Sequence, residues 1–316
     1  MPTVVIRHDL PIAAALEGRR SDLTVIAAES TDSAVSAVSN DGADILVVNP
    51  SLWDDRIAAG LNEGDWVQAT SAGYAAFPLE EFQDRGVTFT NAAGNYGPPV
   101  SEHVFALAIA HARRLPVFFD AQSNHEWARD ASHDATDWGG RELTVYGLGD
   151  IGEQIARRGL AFEMSVVGVK RDPTTYDGCL DPAAVIRPED LLERLEETDL
   201  LAVSVPLTPE TGHSIGASAF QRLPDSAVVI NVARGPVVEE AALVDAIING
   251  EIAGAGLDVF EEEPLPDDSP LWDLDEVIVT PHVGGRSDRF IPRFVALFLD
   301  NYDRRTDGES LVNRIV

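Results

Sequence analysis

Cysteine, lysine and long apolar runs are the scarce items in this chain. Cys179 is the single cysteine among 316 residues, so no intramolecular disulfide can form, and a reducing cytoplasm is the expected setting. No apolar stretch nears the roughly 18 uninterrupted residues that a membrane span needs. Even residues 104–119 contain His111, Arg113 and Arg114, and the opening MPTVVIRHDL is too short an apolar run for a secretory signal. C-x-x-C, H-E-x-x-H and EF-hand spacings are all missing, so no metal centre is expected. Basic residues number only 23 against 53 acids, a net charge of −30. A surface so negative repels phosphate backbones and anionic lipid, which excludes nucleic acid and membrane as expected partners.

What is present fits a folded protein, with 45% apolar and 24% charged residues and a length suited to two domains. Short β-rich runs at residues 3–7, 23–28, 44–49, 66–70 and 87–90 alternate with helical patterns at 11–17 and 32–39. Alternation of this kind implies a parallel sheet with helices on its faces. NAAGNYGPPV, residues 91–100, breaks the rhythm with two glycines and two prolines and reads as a domain boundary, after which Ser101 and Glu102 start a helix predicted over 102–114. A second alternating block follows, with six strands predicted at 143–146, 165–170, 200–205, 227–231, 255–258 and 277–280. Helices are predicted at 150–162, 189–196, 217–222 and 239–249, and a last one over 289–303 is assigned back to the first domain. The fold class expected is α/β with two doubly wound parallel-sheet domains, the first spanning 1–97 and 288–316 and the second 98–287.

Chemistry concentrates in the second block. Gly147, Leu148, Gly149, Asp150, Ile151 and Gly152 form G-x-G-x-x-G between a strand and a helix. The first glycine allows the tight turn, the second lets a pyrophosphate approach the backbone, and the third lets helix and strand pack closely. A site selective for NAD carries an acid at the end of the next strand, but that strand, VVGVKRD, ends in Lys170 and Arg171. Two cations favour the 2′-phosphate of NADP, with NAD as the weaker candidate. The alternatives are solvated strand-end charges, or Asp172 in the acidic role.

Three more segments, NVARGPVV at 231–238, GLDVFEEEPLP at 256–266 and TPHVGG at 280–285, join GLGDIG and PLTPETGHSI at 206–215. In this order and spacing the chain resembles the D-isomer-specific 2-hydroxyacid dehydrogenase family over about residues 66–285. The resemblance implies a flavodoxin-like substrate domain and a Rossmann nucleotide-binding domain. It also implies hydride transfer between NAD(P)H and a small 2-keto acid, giving a D-2-hydroxy acid, and a homodimer.

A catalytic triad of Arg234, Glu263 and His282 follows from the same resemblance. The guanidinium fork of Arg234 suits a planar carboxylate bidentately. His282 would exchange a proton with the carbonyl oxygen, while Glu263 would hydrogen-bond the far ring nitrogen and favour the imidazolium. Composition alone does not separate Glu261, Glu262 and Glu263, and only Pro264 and the family register select the last. Ser71, Ala72, Gly73 and Tyr74 correspond to a loop that supplies further donors to the substrate carboxylate, with Tyr74 departing from the more usual acid. Val205, Pro206, Val232 and Ala233 are expected to line the cofactor, together with Gly284. Asp258 is expected to face the nicotinamide carboxamide, whereas His103 reads as structural. Two rival readings share the scaffold, a nucleotide-sensing corepressor and a formate or phosphite dehydrogenase. The −30 charge argues against the first, and Glu263 beside the histidine, where the formate type would carry Gln, against that second type.

An acidic excess with almost no lysine resembles the proteins of salt-loving microbes. Screening over ~3 Å at about 1 M salt removes the self-repulsion of so many carboxylates. The thermal midpoint of the chain is therefore expected to rise as KCl is raised from about 0.1 M to about 2 M; a midpoint that stays flat in a melting series would refute the salt-adapted reading.

Overall fold

The computed structural model of the chain describes residues 1–40 and 42–316. In chain order the first elements are β1 (Thr3–Arg7), α1 (Ile12–Leu16), β2 (Thr24–Ala27), α2 (Thr31–Asn40) and β3 (Ile45–Val48). Next come α3 (Asp55–Ala58), β4 (Trp66–Ala69), α4 (Leu79–Asp84) and β5 (Thr88–Thr90). The middle of the chain forms α5 (Gly97–Ala112), α6 (Leu115–Ser123), β6 (Glu142–Tyr146), α7 (Asp150–Ala161), β7 (Ser165–Val169) and β8 (Val185–Ile186). Then follow α8 (Leu191–Arg194), β9 (Leu200–Val203), α9 (Ala217–Phe220), β10 (Val228–Asn231), α10 (Glu240–Ile248), β11 (Gly254–Leu257), β12 (Val277–Val279) and α11 (Phe290–Asp307).

These elements make two compact units, Met1–Tyr96 with Ser287–Val316, and Gly97–Arg286. The first holds a five-stranded sheet in the order β2-β1-β3-β4-β5, every pairing parallel. That is the flavodoxin-like winding, with the strand order reversing beside β1. Its inner strands β3 and β4 are buried at every position, as a parallel sheet covered on both faces requires. The long helix α11 belongs to this unit, where the Phe298 ring stacks on Trp66 with centroids 5.2 Å apart.

The second unit is a seven-stranded parallel sheet in the order β12-β11-β10-β9-β6-β7-β8. From β6 outward this is the Rossmann winding with one strand added, and its switch point lies between β6 and β9. The sequence pattern predicts six strands here; the seventh, β8, is only two residues long and ends at Arg187-Pro188, too short to register as a period. The helix predicted over 189–196 is in fact a 3-10 turn, a single α turn and a second 3-10 turn.

The helix predicted to start at Glu102 begins five residues earlier, at Gly97. Pro98 and Pro99 sit in its first turn, where backbone N–H groups have no helical acceptor to lose, so two apparent breakers become the helix start. The helix ends at Ala112, and Arg113 and Arg114 lie past it. Short α3 and α4 and the longer α6 also escaped the pattern, and α11 runs to Asp307 rather than 303. Among the described residues no helix is long and apolar enough to cross a membrane.

Candidate active site

The glycine-rich turn joins β6 to α7 at the switch point. Gly147 has φ +109°, a region closed to ordinary side chains. A Cβ on Gly152 would lie 1.8 Å from the Gly147 carbonyl oxygen, so only glycine lets α7 approach this closely. A Cβ on Gly149 would meet nothing within 4 Å, leaving open space above the helix N-terminus. The N-terminus of a twelve-residue helix facing open space suits a pyrophosphate, so the residues present fit a dinucleotide. Leu148 and Val205 are buried beside this turn, Ile151 is half-buried, and Gly149 and Asp150 are exposed. Val232 and Ala233 are buried just past β10, while Pro206 is exposed.

At the end of β7 the two expected cations part company. Lys170 turns its Nζ onto the Leu148 carbonyl at 3.3 Å and so braces the glycine-rich turn. Arg171 is exposed. Asp172 is spent on a local cap, accepting from the Thr174 amide at 3.1 Å and its hydroxyl at 2.6 Å. Those hydrogen bonds hold its carboxyl below the ordinary range, with further help from Arg187 and Lys170. A capping carboxylate is poorly placed to serve as the acid of an NAD-selective strand end. Arg187 is a cation that the sequence pattern misses: the Lys170 amide donates to the Ile186 carbonyl at 3.0 Å, which aligns the ends of β7 and β8. With β8 unrecognised, nothing in the sequence linked Arg187 to Lys170.

Glu263 and His282 meet directly. His282 Nδ1 lies 2.7 Å from Glu263 Oε2, and the Phe260 amide donates to Glu263 Oε1 at 3.1 Å. An ionised carboxylate only accepts, so Nδ1 carries the hydrogen. Glu261 is drawn instead to His213, with Oε1 at 3.1 Å from Nε2. Of the three acids, Glu263 is the one placed against His282.

Arg234 follows β10 and is exposed, its Nη1 donating to the Ala233 carbonyl at 2.6 Å. Asn231 fixes that turn by accepting from the Ala233 amide at 3.0 Å and donating to the Arg234 carbonyl at 3.2 Å. Gly235 then brings the Arg234 loop onto the Glu263 loop: a Cβ there would sit 1.8 Å from the Phe260 carbonyl carbon. Backbone contact between these loops needs glycine after the arginine, a signal present in the Arg-Gly pair but invisible without the fold.

His282 has φ +52°, which costs a non-glycine residue about 1–2 kcal/mol and must be imposed by its surroundings. Asp258, 3% exposed at the end of β11, imposes it. Its Oδ1 accepts from the Thr280 hydroxyl at 2.7 Å and the Val283 amide at 2.9 Å, and its Oδ2 accepts from the Gly284 amide at 2.8 Å. Both oxygens expected to face a carboxamide thus hold the turn that carries His282. Gly284, expected as a cofactor contact, has a packing role: a Cβ there would meet Asp258 Oδ2 at 2.9 Å and the His103 ring at 3.1 Å.

In the other unit, the loop after β4 commits its oxygens inward. Ala92 N–H donates to the Ser71 carbonyl at 2.9 Å, the Asn91 amide group to Ala72 at 2.7 Å, and the Ser71 hydroxyl to Gly73 at 2.6 Å. The N–H groups of Ala72, Gly73 and Tyr74 find no acceptor among the described residues. Tyr74 is exposed, and Phe77 is core, packed on Trp53 and Phe89.

Comparison with known proteins now adds to this geometry. Residues 105–284 match the family model described as D-isomer specific 2-hydroxyacid dehydrogenase, NAD binding domain. The chain is 35% identical over 246 residues to a glyoxylate/hydroxypyruvate reductase B of Pectobacterium carotovorum, covering 77% of this chain and 76% of that protein. A solved D-isomer specific 2-hydroxyacid dehydrogenase family protein from Aeromonas salmonicida superposes with a TM-score of 0.82 at 30% identity, over 100% of this chain and 99% of that one. An NADPH-dependent glyoxylate/hydroxypyruvate reductase of Sinorhizobium meliloti, solved with citrate, gives 0.80 at 27% identity over 100% and 98%. The chain also matches a D-3-phosphoglycerate dehydrogenase of Mycobacterium bovis at 33% identity over 292 residues, 90% of this chain, but spans only 53% of that longer protein.

Burial opposes the charge on Asp258, yet the His103 ring nearby and the hydrogen bonds from Thr280, Val283 and Gly284 prevail and keep its carboxyl below the ordinary value. A depressed folded-state value stabilises the fold above the unfolded value and loses that contribution as pH falls below about 4. Asp258→Asn is therefore expected to melt below wild type at pH 7, with the gap narrowing as pH falls below about 4. A gap independent of pH in paired melts would contradict this account.

Proposed function

Since the chain belongs to the D-isomer specific 2-hydroxyacid dehydrogenase family and is an NAD(P)-dependent enzyme of that type, we propose that it reduces a small 2-keto acid to the D-2-hydroxy acid, with NADPH preferred. The observation that carries the reading is the 2.7 Å contact between His282 Nδ1 and Glu263 Oε2 in a loop that backbone contact joins to Arg234.

In this reading the guanidinium of Arg234 receives the substrate carboxylate and so fixes the plane of the neighbouring ketone. The N–H groups of Ala72, Gly73 and Tyr74, in the other unit, are the donors that the family resemblance offers a substrate carboxylate. A nicotinamide dinucleotide whose pyrophosphate was held at the Gly147–Gly152 turn would supply the hydride that C2 accepts. His282 delivers a proton from Nε2 to the ketone oxygen, so that one hydride and one proton convert the ketone to the alcohol. Glu263 fixes the ring orientation through Nδ1–H and stabilises the charge that the imidazole carries before transfer. The net charge of −30, rather than the triad, argues against a purely sensory role.

NADPH preference finds support in Arg171 and Arg187 at adjacent strand ends and in the use of Asp172 as a cap. In a chain with 53 acids, exposed cations grouped at one strand edge suit a phosphate. The single cysteine agrees with a reducing cytoplasm, and a homodimer is the oligomer proposed by family analogy.

A panel of glyoxylate, hydroxypyruvate, pyruvate and branched 2-keto acids, followed by NADPH absorbance at high KCl, tests the activity. Consumption with at least one member is expected, and His282→Ala should cut turnover by ~10² or more while NADPH still binds. An inert wild type, or a His282→Ala variant at full speed, would overturn the mechanism. For the cofactor, Arg171→Ala with Arg187→Ala should weaken NADPH by about tenfold or more and NADH little; equal losses in titrations of the two would remove both arginines from the 2′-phosphate.

A further inference from the structure

Among the described residues, His103 is the one histidine, apart from His282, whose ring reaches the 280–284 turn. It lies on α5, largely buried, with Nε2 2.9 Å from the Thr280 hydroxyl oxygen and 3.4 Å from Asp258 Oδ1. The donors can be assigned by counting hydrogens. The Thr280 hydroxyl has one, and at 2.7 Å it goes to Asp258, whose carboxylate can only accept. The hydroxyl oxygen must then accept from His103, which puts the hydrogen on Nε2.

A directed chain follows: His103 Nε2–H to Thr280 Oγ1, Thr280 O–H to Asp258 Oδ1, and Asp258 in return accepting from the Val283 and Gly284 amides. The chain ends at the two residues after His282. His282 N–H itself donates to the Thr280 carbonyl at 3.0 Å, so Thr280 holds the turn from both sides. Gly284 leaves just enough room for the His103 ring against Asp258.

We propose that His103 is a positioning residue: through Thr280 and Asp258 it orients the turn that aims His282 at the substrate. This rests on the catalytic reading of His282 given above. His103 touches neither substrate nor cofactor in this scheme. It acts as the outer partner that keeps an inner carboxylate directed, the role that outer-shell hydrogen bonds play around catalytic and metal-bound groups. Without its donor, the Thr280 hydroxyl can rotate toward the Leu257 carbonyl, which lies 3.4 Å away, and Asp258 loses a partner.

Three variants separate positioning from space filling. His103→Ala removes ring and donor, His103→Phe keeps a ring without the donor, and His103→Gln restores an N–H near Nε2. Expected are a fall in kcat of about tenfold for Ala and Phe, partial recovery for Gln, and NADPH affinity within about twofold of wild type in all three. Amide exchange of Val283 and Gly284, read by NMR or mass spectrometry on the full chain, should quicken in Ala and Phe and not in Gln. Phe matching Gln in kcat would reduce His103 to packing and overturn the proposal, as would unchanged exchange in Ala. The exchange arm needs no turnover: a wild type inert toward every keto acid would overturn the functional reading, while faster exchange in Ala and Phe would still support His103 as holder of the turn.

Discussion

One buried carboxylate organises the chemistry of this chain. Asp258 ends a fully buried strand and is itself almost without solvent contact, so its charge must be met by hydrogen bonds. It meets that demand with donors from a single turn, Thr280 to Gly284. An interaction that satisfies the core therefore also fixes the turn that carries His282, and it holds that residue in a backbone conformation that a histidine would not choose. Losing the carboxylate would leave two amides and a hydroxyl without their acceptor and would free the turn.

Close backbone approaches do the rest of the assembly. Gly152 against the Gly147 carbonyl sets the depth of α7, and Gly235 against Phe260 joins the arginine loop to the acid loop. In both places the controlling feature is a missing side chain. Single methyl groups at these positions would separate elements that must touch, and the chemistry depends on distances of a few tenths of an ångström. The same economy appears in the charges. The chain carries more than two acids for each base, yet it keeps Arg171, Arg187 and Arg234 exposed on strand ends of one sheet. On so negative a surface, exposed cations are attractive points for anionic ligands, and these three stand at strand ends.

The winding of both sheets was legible in the sequence because central parallel strands are buried on two faces and read as unbroken apolar runs, such as ILVV and VVIN. Strand β8 was not, since two residues carry no period. The start of α5 was hidden by prolines that act as breakers in a helix interior and as good starters in its first turn. Within the site, the pairing of Glu263 with His282 was anticipated through family register. The duties of Lys170, Asp172 and Asp258 were not, because a charged residue at a strand end can face ligand or backbone, and only its neighbours decide between them.

The sequence by itself determined the kind of machine: alternating strands and helices, a glycine-rich turn where a dinucleotide belongs, and an arginine, an acid and a histidine in family order. Local propensity and spacing suffice for these, since they depend on neighbours along the chain. Only the tertiary structure decided that Lys170 braces a carbonyl, that Asp172 is a cap, that Arg187 stands beside β7, and that His103, Thr280 and Asp258 form one directed chain. Apart from the Asp172 cap, which is local, those contacts join residues 16 to 177 positions apart, and hydrogen-bond direction is set by geometry in space that no one-dimensional pattern records.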